Sequence, residues 1–129
     1  MLKLICLVKR HPSLSQEAFE KHWKTNHAAL IRKHAGLLGI RGYVQNTRLK
    51  HDQAQQQLET IRGLVSHEFD GCAELWWDDM QSHLDARKTP EGAKALQEII
   101  EDEQRFIDPS QSCMWYCGEH TVLALTDSQ

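Results

Sequence analysis

Residues 2–8 read Leu-Lys-Leu-Ile-Cys-Leu-Val, and Lys9-Arg10-His11-Pro12 follows. An apolar run of this length, closed by charge and a proline, predicts a first strand covered on both faces. Beyond it, Ser15 is a good N-cap residue, and Glu17 suits the positive end of a helix. The helix is predicted over 16–33. At about 100° per residue, Phe19, Trp23, Asn26 and Leu30 fall on one stripe, with His27 and His34 on one flank and His22 on the other. Gly36 and Gly39 are placed to stop it.

Moving outward, residues 40–47 (Ile-Arg-Gly-Tyr-Val-Gln-Asn-Thr) alternate as a strand. Ile40, Gly42, Val44 and Asn46 share one face, assigned to the helices because Gly42 and Val44 suit packing there. Arg41, Tyr43, Gln45 and Thr47 share the other. Residues 48–69 are polar and Gln-rich, with a short helix capped by Asp52, carrying Leu58 and Ile61 and ended by Gly63. Residues 50–66 therefore read as an excursion between two strands, a surface loop or a lid. Cys72–Trp77 predicts the third strand. Asp78 or Asp79 caps a short helix to about Arg87. Thr89-Pro90-Glu91 opens a further helix, with proline in its first turn. Ala93, Leu96, Ile99, Ile100 and Phe106 supply its apolar side, and Asp108-Pro109 ends it. A last strand is predicted over 112–125.

The order is strand, helix, strand, strand, helix, strand. Two such halves make an α+β, ferredoxin-like βαββαβ sheet with both helices on one face. The other face then carries Ile5, Leu7, Tyr43 and Trp76 by parity. An apolar sheet face calls for cover, so a homodimer stacking two such faces is expected. With 129 residues, 40% apolar and 26% charged, the chain has the size and composition of a single domain, 1–129. A net charge of −3 argues against nucleic acid as a partner. The longest apolar run, Leu4–Val8, is too short to span a membrane, and a cytoplasmic protein is expected. Cys6, Cys72, Cys113 and Cys117 have no C-x-x-C spacing and read as buried reduced thiols.

In combination, several stretches resemble the EthD family of dimeric α+β barrel proteins. They are Lys3-Leu4-Ile5-Cys6-Leu7 with Lys9-Arg10; Leu14-Ser15 with Phe19, Trp23 and His27; and Gly42-Tyr43-Val44-Gln45-Asn46. Phe69-Asp70-Gly71 with Ala73-Glu74-Leu75-Trp76, Pro90-Glu91-Gly92, and Phe106-Ile107-Asp108-Pro109 complete the set. The segment 50–66 departs from that pattern. The resemblance implies the ferredoxin-like dimer and a small organic ligand. It leaves the chemistry open, since the wider superfamily includes polyketide cyclases, dehydratases, muconolactone isomerases, cofactor-free monooxygenases and haem enzymes.

Chemistry must therefore be read from residues. His27 follows Trp23 by one helical turn, so both can line one wall of a cleft. A neutral imidazole can take and return a proton near pH 7. Tyr43 and Asn46 are candidates to polarise a carbonyl, although they lie on opposite faces of an ideal strand. Trp23, Trp76, Trp77 and Phe106 are candidate walls for a flat substrate. Glu74, mid-strand among apolar neighbours, is expected to pair with Arg41. The histidines show no H-x-x-x-H spacing and no zinc-like cluster with cysteine, and His11, His51, His67, His83 and His120 fall in loops, on a helix surface or at strand ends. No metal and no cofactor is expected. The reading is a cofactor-independent acid–base enzyme of isomerase, cyclase or dehydratase type, acting on a small cyclic or aromatic molecule. Its alternatives are a non-catalytic ligand-binding or accessory dimer and a cofactor-free monooxygenase.

Overall fold

The structure, a computed structural model, describes residues 1–126. Strand β1 (Leu2–Val8) leads into a helical stretch of three parts: α1 (Gln16–His22), a π-helical turn (Trp23–His27) and α2 (Ala28–Leu38). Then come β2 (Gly42–Thr47), α3 (Asp52–Arg62), β3 (Gly71–Trp77), α4 (Met80–Ala86), α5 (Pro90–Phe106), a 3₁₀ turn (Pro109–Gln111) and β4 (Cys113–Gly118). The sheet order is β2-β3-β1-β4, antiparallel throughout. This is the ferredoxin-like α+β architecture. No helix among the described residues is long and apolar enough to cross a membrane.

The expected caps form. The Ser15 side chain accepts from the Ala18 amide, Asp79 from Ser82 and Thr89 from Gly92. The first helix does not stop at Gly36 or at Lys33. It runs to Gly39, whose φ of 70° places it in the left-handed C-cap conformation that glycine adopts without Cβ strain. In α3 the cap is His51, not Asp52, because the His51 ring nitrogen reaches the Ala54 amide. The last strand is shorter than expected. Its partner β1 runs out at Leu2, opposite Gly118, so residues 119–126 have no edge left to pair with.

The inward helical stripe also differs from the expected one. Phe19, Trp23, His27, Ile31, His34 and Leu38 are buried, whereas Asn26 is exposed. The π turn accounts for this. Its wider hydrogen-bonded ring accommodates one extra residue, which rotates everything after Trp23 relative to a regular α-helix. On α5 the buried positions are Gly92, Ala95, Ile99, Asp102 and Phe106, a regular three-and-four spacing; Ala93 and Ile100 lie outside it. Gly92 is required there, because a Cβ would stand 1.8 Å from the Ala86 carbonyl oxygen where α4 meets α5. Phe19, Trp23 and Phe106 form the centre of the core, with ring centroids 5.4 and 5.8 Å from Phe19.

Strand β2 presents its faces opposite to expectation. Tyr43 and Gln45 point toward the helices, where Tyr43 Oη accepts from Trp23 Nε1 at 3.0 Å and Gln45 Nε2 donates to the Trp23 carbonyl at 2.9 Å. Gly42, Val44 and Asn46 take the uncovered face. There Gly42 leaves space for the Trp76 ring, which would lie 3.0 Å from an added Cβ. Glu74 does not pair with Arg41. Arg41 precedes β2 and reaches Asp78 at 3.1 Å, while Glu74 is held by Lys3 at 2.6 Å and by the Asn46 amide at 2.9 Å. Lys3 lies opposite Trp76 in the β1–β3 ladder, and so sits diagonally from Glu74 within side-chain reach.

Candidate active site

Between the helices and the sheet lies a cavity of about 310 Å³, at the low end of the usual range for small-molecule sites. Its lining is mostly apolar: Leu4, Ile31, Leu75, Trp77, Leu96 and Ile99 among others. Six polar side chains interrupt it, His27, Tyr43, His83, Arg87, Glu103 and Tyr116. Tyr116 and Met114 of the edge strand β4, both half exposed, complete the wall.

His27 comes from the end of the π turn and is 3% exposed. Its Nδ1 lies 2.9 Å from Oδ2 of Asp102, which is itself buried on α5. Nε2 has no hydrogen-bond partner among the described residues. The other Asp102 oxygen is 2.9 Å from His22 Nε2 and 3.3 Å from the Arg105 guanidinium. Phe106 packs against both imidazoles, with centroids 4.9 Å from His22 and 4.8 Å from His27. Burial pulls the His27 ring below its ordinary value, and the hydrogen bond to Asp102 only partly offsets this. Burial opposes ionisation of Asp102, but its bonds to His27 and His22 outweigh it and hold the carboxyl below the usual range. At neutral pH this arrangement is a carboxylate accepting Nδ1–H from a neutral imidazole.

Glu103, adjacent in sequence, behaves in the opposite sense. Its carboxyl lines the cavity and makes no hydrogen bond or ion pair among the described residues. Burial pushes its pKa up to about 7, and the Asp102 charge adds to the rise. The Tyr43 hydroxyl, raised to about 12 chiefly by burial, keeps its proton. Because its oxygen accepts from Trp23, that proton is available to a ligand.

The sequence-predicted site residues divide between three places. His27, Tyr43, Trp23 and Trp77 all line the cavity. Asn46 and Trp76 lie on the far side of the sheet, where Asn46 holds Glu74 and Trp76 Nε1 bonds to Glu119. Phe106 is core beneath the imidazoles and does not line the cavity. Five polar residues of the cavity and its support escape sequence reading: Asp102, Glu103, His83, Arg87 and Tyr116. Asp102 had a signal, since the 92-95-99-102-106 spacing sets a carboxylate on a buried stripe. Glu103 had none, and His83, expected on an outer surface, is buried against Trp77 with ring centroids 4.0 Å apart. Among the described residues no group of three or more His, Cys, Asp or Glu side chains is arranged to hold a metal ion.

Comparison with known proteins agrees with this architecture. No curated protein sequence matches the chain. Among solved structures, an EthD family protein from Bacillus halodurans superposes with a TM-score of 0.61 at 23% identity, covering 93% of this chain and 99% of that one. SnoaB, a cofactor-independent oxygenase from Streptomyces nogalater, superposes at 0.53 with 11% identity and 95% of each chain covered. A dimeric protein of ferredoxin-like fold and unknown function from Bacteroides fragilis gives 0.54 at 11% identity, covering 90% of this chain and 93% of that one. At these identities the likeness is one of fold. The family model for the EthD domain, by contrast, matches the sequence itself over residues 11–110, from the end of β1 to the turn before β4, and the chain belongs to the EthD family.

Proposed function

We propose that this protein is a cofactor-independent proton-transfer enzyme, of isomerase, cyclase or dehydratase type, acting on a small cyclic or aromatic organic molecule. The observation that carries the reading is the Asp102–His27 pair set in the wall of an apolar cavity, with Nε2 of His27 unpartnered. Asp102 fixes the tautomer by accepting from Nδ1, which leaves the Nε2 lone pair to take a proton from substrate. The imidazolium so formed rests against a carboxylate that is already ionised. Electrons released from the broken C–H bond move onto the adjacent carbonyl oxygen, which accepts a hydrogen bond from the Tyr43 hydroxyl. Glu103, whose raised pKa keeps a substantial protonated fraction near pH 7, returns a proton at a second position or gives it to a departing hydroxyl. Trp23 and Trp77 hold the ring in the cavity and keep water away. Cofactor-free oxygenation is the second reading; it begins with the same deprotonation, and the fold shared with SnoaB favours keeping it in view.

The working unit in this reading is a cytoplasmic homodimer. The uncovered sheet face carries Ile5, Leu7, Val44, Trp76 and Trp115 around the Lys3–Glu74 pair, and a second copy would remove this surface from water.

The test needs no knowledge of the natural substrate. The protein is incubated in D₂O with 2-indanone and with cyclohexane-1,3-dione, and loss of the acidic C–H signal is followed by ¹H NMR. Wild type should exchange at least one of them faster than buffer, and His27→Gln should lower that rate by roughly 10²–10⁴-fold, the usual contribution of a general base. Exchange at the buffer rate, or exchange indifferent to His27→Gln, contradicts the proposal. Oxygen uptake in the same samples reports on the second reading.

A further inference from the structure

The cavity has a second polar end that the proton-transfer chemistry does not use. His83 lies on α4, 5% exposed, with Nε2 2.8 Å from the Tyr116 hydroxyl oxygen. Its Nδ1 is buried and has no partner among the described residues. Arg87 is one helical turn further along, at the C-cap of α4, and lines the same cavity. Its guanidinium makes no hydrogen bond or ion pair among the described residues. Elsewhere most of the chain's cations near the core are matched: Lys3 by Glu74, Lys9 and Arg10 by Asp70, and Arg105 by Asp102. An uncommitted guanidinium at the wall of an apolar cavity presents the fork of donors that recognises a planar oxyanion.

We propose that the Arg87 guanidinium forms an anion-binding end of the cavity, so that the ligand is a small aromatic or cyclic carboxylate whose acid group docks there. Where the reacting carbon then lies, toward His27 and Glu103, rests on the proton-transfer reading. The anion subsite itself does not.

The probes are 1-naphthoate and its neutral isostere 1-naphthamide, with binding measured by titration calorimetry. Wild type should bind the carboxylate at least tenfold more tightly than the amide. Arg87→Met should bring the two within about twofold, Arg87→Lys should keep most of the preference, and His27→Gln should leave it intact. Near-UV circular dichroism checks that each variant is folded. Equal affinity for the two probes in wild type, no binding of either, or a preference that survives Arg87→Met overturns the proposal. A preference that depends on Arg87 in a protein that exchanges no C–H proton would keep the anion subsite and reject the proton-transfer reading.

Discussion

Glu103→Gln converts the unpaired cavity carboxyl into a neutral group of the same shape. In the folded chain burial raises this carboxyl from its ordinary 4.5 to about 7, with Asp102 adding to the effect. The folded state therefore binds more protons than the unfolded state between these values, and stability must fall as pH rises through that window. The contribution is fully present below about 4.5 and lost above about 7. At 1.36 kcal/mol for each tenfold change in proton affinity, the whole effect is roughly 3 kcal/mol, most of which falls between pH 5 and pH 8. His27 and His83 act in the opposite direction. Burial holds both below 6.5, so each binds fewer protons when folded and adds stability as pH rises. The wild-type profile alone thus mixes opposing slopes, and the difference between wild type and Glu103→Gln isolates the carboxyl. Urea unfolding of both proteins, at one protein concentration and at pH 5, 6, 7 and 8, gives that difference. The variant should gain on wild type by about 2–3 kcal/mol across the series. A difference that stays flat with pH would show that Glu103 titrates as an ordinary surface carboxylate, and it would remove the acid from the proposed mechanism.

Three further outcomes follow from the same contacts. Asp102→Asn leaves His22, His27 and Arg105 without their shared carboxylate; it should lower C–H exchange by at least 10²-fold and cost about 1–3 kcal/mol in urea unfolding. Trp76→Glu places an unpaired carboxylate in the proposed dimer face, at a cost of several kcal/mol, and should give monomers in sedimentation velocity where wild type sediments as a dimer. Deleting residues 50–66 removes α3, none of whose residues is buried, while leaving Arg48 bonded to the His67 and Phe69 carbonyls at the base of the excursion; the shortened chain should fold, with far-UV dichroism and a cooperative melt close to wild type.

The strand and helix order was legible because each element carries its own local signal. Ser15, Asp79 and Thr89 announce helix starts through side-chain chemistry, and Gly39 announces a stop through its backbone freedom. The π turn was not legible. It is one residue of extra chain held by tertiary packing, and nothing in Trp23-Lys24-Thr25-Asn26-His27 differs from an α-helical sequence. That single insertion moves His27 onto the buried stripe and puts Asn26 in solvent. The orientation of β2 is not legible for a different reason. Parity relates the residues of a strand to one another but does not say which set faces the helices. The choice was made by partners distant in sequence: Trp23 supplies a donor for Tyr43, and Trp76 needs the space that Gly42 leaves. Arg41 and Glu74 likewise found closer partners once the register was set. Of the site, His27, Tyr43 and Trp23 could be picked out as residue types suited to a pocket. The spacing of α5 marks Asp102 as buried but not as the partner of His27, and His83 carries no mark at all, because what sets each apart is the neighbour it meets across the fold.

The state of the His27 ring at pH 7 tests the central claim most directly. Long-range ¹H–¹⁵N correlation spectra of ¹⁵N-labelled protein, with the ring assigned by its absence in His27→Gln, report which nitrogen carries the proton. The Asp102 contact at Nδ1 and the burial that lowers the ring's proton affinity require a neutral imidazole with its proton on Nδ1 and a bare Nε2. A ring protonated on Nε2 alone, or one carrying both protons at pH 7, would leave no base facing the cavity and would contradict the account.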